Sequence, residues 1–262
     1  MEILAEVKGL GIVKESIGDF SANIRELKGR IISPRDEAYA RIATQGKENI
    51  GLRYGTRTSA GIEYTKGELP IFNLSSKLLN PELAKQAVRA NRNGRYFSTE
   101  TRTEYDESLK QAQENKGALV LPSRQNFQIT PTKNSKVLEF ALKDQAGAYW
   151  DLHKKVCGDV PITFHLVDEN TVDSQPGVLL TELWFGGLDD GSYLNGYYGY
   201  CLYIDGRARG VFDSGKAGAK ISKPKNTQEV RIYTPAQLSK YQKILQSVRE
   251  GNLPASKLEK VA

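Results

Sequence analysis

Four short runs rich in β-branched and aromatic residues follow one another late in the chain: "PITFHLV", "GVLLTELWFGG", "YYGYCLYIDG" and "RGVFD". They read as a meander of antiparallel strands, with "DGRARG" as a hairpin turn. Earlier alternating runs predict strands over 38–44 ("AYARIAT"), 49–54 ("NIGLRY") and 59–65 ("SAGIEYT"), and "ALVLPSRQNFQIT" holds two short ones. Helical signals lie between these runs. Asn80 is an N-cap with Pro81 at the first helical position, and the helix ends at Gly94. "STETRTEYDESLKQAQENKG" reads as a strand end leading into a second helix closed by Gly117. A longer helix follows over "NSKVLEFALKDQAGAYWDLHKKVCG", with a weak point at Gly147. A last helix starts at Thr234 and Pro235. Helices scattered among antiparallel strands predict an α+β fold with a mixed, mostly antiparallel sheet and about four helices.

A chain of 262 residues suffices for one such domain, and 1–262 reads as a single unit. A boundary near "ENKGALVLP" would subdivide it into 1–117 and 118–250, with 251–262 as a frayed tail. The apolar fraction of 39% is enough for a real core. No apolar run is long enough for a spanning helix, and the first twenty residues lack the pattern of a secretory signal, so no membrane partner is expected. Two widely separated cysteines, Cys157 and Cys201, predict no disulfide framework and a reducing, cytoplasmic setting. The sequence does not specify an oligomeric state. Charge is uneven: residues 205–262 carry 12 Lys and Arg against 5 Asp and Glu, out of a net charge of +6 for the whole chain. A basic end of this kind attracts phosphates, or serves only as a solvated surface.

His153, Cys157, His165 and Cys201 are the residues that could build a tetrahedral zinc site, and His153 and Cys157 share a helix face. They lack the paired spacing of such sites, so no metal is expected. "GLDDGSYLNG", with Asp189, Asp190 and Asn195, has too few alternating carboxylates for a calcium loop and reads as a hairpin loop. "SYLNGYYGYCLYIDGRARG" sets five tyrosines ahead of Arg207 and Arg209, a composition suited either to base stacking on single-stranded nucleic acid or to a strand packed on both faces.

Three segments, in order, bear on chemistry: "GLRYGTRTS" (51–59), "GRYFSTETRTEY" (94–105) and "QEVRIYTPAQLSKY" (228–241). Together they resemble the ADP-ribosyltransferase superfamily in its poly(ADP-ribose) polymerase-like branch, with Tyr54 where that branch usually has His. The resemblance implies NAD as substrate, an unknown acceptor for ADP-ribose, and Glu229 as the catalytic carboxylate. Cleavage of the ribose–nicotinamide bond builds positive charge at the anomeric carbon, which a fixed carboxylate stabilises. By the same resemblance Tyr96 and Tyr105 would sandwich the nicotinamide ring and Ser98 would hydrogen-bond its amide. Tyr54 would hold the adenosine ribose, and Arg53 or Arg57 the pyrophosphate. The alternative is a non-enzymatic nucleic-acid-binding or assembly protein that uses the basic C-terminal region.

Overall fold

The computed structural model describes residues 1–47, 50–51, 53–99, 101–196, 202–213 and 230–231. The chain opens with a hairpin of β1 (Glu2–Val7) and β2 (Gly11–Gly18). β2 pairs along its whole length with the antiparallel β11 (Gly206–Phe212), from Gly18 opposite Gly206 to Ile12 opposite Phe212. On its other side β1 pairs with β12 (Val230–Arg231), so the start of the chain is stitched to a strand more than 220 residues later. β11 then meets β3 (Thr56–Thr65) in a parallel bridge at Ala208 and Arg57, and β3 runs antiparallel to β9 (Val178–Phe185). β9 continues through β10 (Leu194–Asn195) to β8 (Ile162–His165) and β7 (Phe127–Ile129). Side branches add β4 (Ile71–Asn73) and β6 (Ala118–Val120) beside β3, and β5 (Ser98–Thr99) beside β9.

This is the α+β class with a mixed, mostly antiparallel sheet, as the sequence predicts. Strand β9 shows why it needs helices on both faces. Leu179, Leu183 and Phe185 pack in one apolar cluster, while Val178 and Leu180 pack in another across the sheet, the two-residue period of a strand. The first cluster lies under α5 (Ser135–Leu142) and α6 (Ala146–Cys157), and contains Tyr64, Phe72, Tyr149 and Phe164. The second lies under α1 (Phe20–Glu26), α3 (Pro81–Arg92) and α4 (Thr103–Gln113), and contains Phe20, Val88, Tyr105 and Leu202. A third, smaller cluster joins β1 and β2 to α2 (Pro34–Ala43). A short α7 (Glu169–Ser174) precedes β9.

Local signals explain most elements. Asn80 Oδ1 accepts from the backbone N–H of Glu82 at 2.9 Å and caps α3, and Gly94 follows with φ of 69°. Asn80→Ala is expected to cost about 1 kcal/mol in urea unfolding; a change within error would show that the cap is dispensable.

The expected strand over 38–44 is instead helix α2. Ser33 Oγ accepts from Asp36 N at 3.1 Å and donates to the Asp36 carboxylate, and Pro34 opens the first turn. Seven of its ten residues are buried, which hides the helical period and leaves Ala38, Ala40 and Ile42 looking like strand alternation. No strand forms in the described part of 49–54. The long helix over 134–158 is broken at Lys143, with φ of 54°, and not at Gly147. "DGRARG" is not a hairpin turn, since Gly206–Gly210 belong to β11. The helix predicted from Thr234 and most of the 213–226 segment lie outside the described residues.

Candidate binding surface

Buried charged side chains on strands and on α2 mark the region of interest. Arg41, Arg57 and Arg209 are among the largest fully buried side chains, and each is paired with an equally buried carboxyl group. Arg41 Nε donates to Glu37 Oε1 at 2.8 Å, one helical turn earlier on α2. The same Glu37 oxygen accepts from Arg209 Nη1, and Arg209 Nε lies 3.4 Å from Glu15 Oε1. Arg207 closes the row at the rim, donating to Glu15 Oε2 at 2.6 Å. Separately, Arg57 Nε donates to Glu182 Oε1 at 3.0 Å across the β3–β9 pair. Burial pushes the Glu182 carboxyl up to about 7, against the pull of Arg57.

Further guanidinium donors of the three arginines point at main-chain carbonyls at strand ends and in connecting segments, and Arg41 Nη1 also donates to the Tyr149 hydroxyl at 3.1 Å. Arg41 binds Phe185 O at 3.1 Å and Gly186 O at 2.6 Å. Arg57 binds Gly18 O at 2.9 Å and Ile204 O at 3.1 Å. Arg209 binds Ile50 O at 3.0 Å and Tyr54 O at 3.3 Å. The planar fork of arginine suits this, since one side chain can hold a carboxylate and two carbonyls together. Gly206 leaves room for the clamp: a Cβ there would sit 2.6 Å from Arg57 Cζ.

Above these clamps lies an exposed apolar patch. Among the large hydrophobic side chains that reach solvent, Ile17 (56% exposed) and Tyr54 (44%) meet at Arg207, and Tyr203 (38%) and Ile204 (43%) lie on the segment that leads into β11. Ile17 faces Arg207 across the β2–β11 pair, and the Arg207 guanidinium covers the Tyr54 ring at 3.8 Å. Ile204 and Gly18, the neighbour of Ile17, are joined through the single Arg57.

The residues singled out from the sequence are dispersed. Tyr54 belongs to the patch, and Arg53 beside it is exposed. Arg57 is buried in its pair with Glu182 and turned away from solvent. Tyr96 packs on the first apolar cluster and Tyr105 inside the second, where its hydroxyl donates to Leu69 O at 2.7 Å. The two rings therefore do not face each other as a sandwich. Ser98 is half-buried and pairs with Leu179 in β5. Glu229 lies outside the described residues. Arg207 and Arg209, read with the tyrosines as nucleic-acid contacts, are committed to Glu15 and Glu37. Nothing in the sequence reading picked out Glu15, Glu37, Arg41 or Glu182. The available signal was a charge in the middle of an apolar strand, as in "VLLTELWF", because such a charge needs a buried partner.

The metal-type residues also separate. His153 is fully buried, with Nε2 2.8 Å from Val160 O. Cys157 donates to Leu188 O at 2.8 Å, His165 meets the Tyr193 ring edge-on, and Cys201 is outside the described residues. Among the described residues no three His, Cys, Asp or Glu side chains are grouped to hold a metal ion. Nor is any described helix long and apolar enough to cross a membrane.

Neither a protein-family model nor a curated protein matches the chain. Its fold is similar to that of a solved structure described as "Accommodation of massive sequence variation in Nanoarchaeota by the C-type lectin fold". The TM-score is 0.54 at 19% identity, covering 75% of this chain and 95% of that one. This likeness overturns the expected resemblance to ADP-ribosyltransferases, and with it the transferase activity and the use of NAD. The physical reason is that two of the three matched segments serve the frame, while nearly all of the third lies outside the described residues. The first enters β3 and its clamp, and the second straddles two separate cores. Nucleic-acid binding through the Tyr and Arg run gains no support either.

Proposed function

We propose that the chain is a binding module that displays an interchangeable recognition surface on a frame similar to the C-type lectin fold. The observation that carries this reading is the clamping of Gly18, Tyr54 and Ile204 through their carbonyls by buried arginines. A backbone held through its carbonyls keeps its course whatever side chain it bears. The exposed side chains Ile17, Tyr54, Tyr203 and Ile204 are thus free to serve a ligand, and a solvent-facing apolar patch of this kind marks an interaction site. The solved structure of similar fold, described by its accommodation of massive sequence variation, supports the same division between frame and surface.

The test is a library randomised at Ile17, Tyr54, Tyr203 and Ile204, compared with one randomised at Arg41, Arg57 and Arg209. Members of the first library should fold with stabilities within about 0.5 kcal/mol of the parent, and display selection on an immobilised albumin should enrich binders. The second library should yield almost no folded protein. Equal loss of folding in both libraries would reject the reading.

A further inference from the structure

We infer that Arg57 and Glu182 form a proton-operated latch: when Glu182 takes up a proton, Arg57 lets go of the Gly18 and Ile204 carbonyls and that side of the surface loses its fixed course. The place of the latch in recognition rests on the binding-module reading, to which it adds a control by pH. One cation joins three parts of the chain. Arg57 Nε donates to Glu182 Oε1 at 3.0 Å, while its terminal nitrogens hold Gly18 O at 2.9 Å and Ile204 O at 3.1 Å. Gly18 ends β2 beside Ile17, and Ile204 lies two residues before β11. Among the described residues Glu182 pairs with one guanidinium group, whereas Glu15 and Glu37 each face two. The second oxygen of Glu182, Oε2, is buried with no hydrogen-bond partner among the described residues. Neutralising this carboxylate strips Arg57 of its close counter-charge, and a guanidinium cannot shed its own proton in response.

Linkage fixes the direction. Burial holds the Glu182 carboxyl at about 7 against the pull of Arg57, and with Arg57 gone the same burial keeps the proton more tightly still. Proton uptake therefore favours the state in which Arg57 is released and Glu182 stays inside. Asp19, the half-buried N-cap of α1, is close enough to feel the Arg57 charge, so the freed guanidinium has an anion to turn to. The other charged groups on this side of the sheet are engaged. Arg92 of α3 pairs with Asp19 at 3.0 Å, and Lys77 of the 3-10 turn Lys77–Leu79 pairs with Glu63 of β3 at 3.2 Å. Glu26 of α1 accepts from Ser16 at 2.7 Å, and Glu104 of α4 from Thr99 at 3.2 Å. Asp205, beside Ile204, is exposed, and His165 on β8 shares the sheet face through its pairing with Asn195. Burial raises the Glu63 carboxyl and lowers the His165 imidazole, so the test has to separate both from Glu182.

The test is amide hydrogen exchange from about pH 6 to about pH 9, with rates corrected for the intrinsic pH dependence of exchange. In the unaltered protein, residues 17–20 and 202–206 should exchange about tenfold faster at the acid end, while α5 on the other face should not change. Glu182→Gln should keep both segments fast at every pH. Gly206→Ala, whose methyl would lie 2.6 Å from Arg57 Cζ, should do the same by displacing the guanidinium. Glu63→Gln should respond to pH as the unaltered protein does, and so should His165→Gln. An albumin binder from the first library should bind about threefold more weakly at the acid end, and the same binder carrying Glu182→Gln should lack that difference. If the library gives no binder, the display reading falls and the exchange rates still decide the latch. Exchange independent of pH in the unaltered protein, or an undiminished pH response in Glu182→Gln, overturns the latch whatever the library yields.

Discussion

Glu37→Gln is expected to lower the unfolding free energy by about 3–5 kcal/mol. Glu37 is fully buried and its Oε1 serves both Arg41 and Arg209. With the neighbouring Glu15 it balances two guanidinium groups that have almost no contact with water. Glutamine keeps the shape and removes the charge, leaving one cation without a counter-charge in a dry interior. Arginine does not lose its proton at accessible pH, so the mismatch cannot be relieved by titration. The cost should appear in urea unfolding as a lower midpoint with an unchanged slope. The exposed pair of Lys85 and Glu82 is the internal control, since Glu82→Gln should change stability by less than about 1 kcal/mol. Comparable effects at Glu37 and Glu82 would mean that the buried row contributes no more than a surface ion pair.

The fold class was legible where local chemistry and tertiary packing agreed. Helix α3 carries its own cap, its proline and its terminal glycine, so no distant contact is needed to recognise it. Helix α2 carries equally good start signals, but burial on nearly every side removed the polar face that would have shown its period. Strands β1 and β2 were not foreseen because their charged residues, Glu6, Lys14 and Glu15, interrupt the apolar pattern. Glu15 is buried only because Arg207 and Arg209 arrive from almost two hundred residues away. The candidate surface fails to show in the sequence for the same reason. Ile17, Tyr54 and Ile204 meet only after β2, β3 and β11 have paired. A tally of charge along the chain placed the positive excess in the last 58 residues and concealed the cations Lys85, Arg89 and Arg92 on α3, which acids elsewhere offset. Short matching segments misled in the opposite direction. Tyr96 and Tyr105 are close in sequence, yet they belong to cores on opposite sides of β9.

Arg57→Met is expected to cost as much as the loss of Glu37, and its cost should grow with pH. Glu182 is buried beside Arg57, and desolvation raises its carboxyl from an ordinary value of 4.5 to about 7 even with that partner present. The folded state therefore keeps a proton that the unfolded chain has already released. Linkage then requires the Glu182 contribution to be fully present below about 4.5, to fall as pH rises toward about 7, and to stay level above that. Without Arg57 only the desolvation remains, the carboxyl moves higher still, and the fall continues past neutrality. Glu182→Gln should abolish this part of the pH dependence. His153 and His165 act in the other sense: burial lowers both, so their contribution increases as pH rises toward the ordinary histidine value of 6.5. The measurement is thus the difference in urea-unfolding free energy between the unaltered protein and Glu182→Gln, taken from about pH 4 to about pH 9. A difference independent of pH would mean that Glu182 stays ionised throughout against Arg57. Arg57→Met also releases the carbonyls of Gly18 and Ile204, so at a pH where the variant remains folded a binder selected from the first library should lose affinity for albumin when it carries this change. Unimpaired binding by the folded variant would separate the clamp from the surface it is proposed to hold.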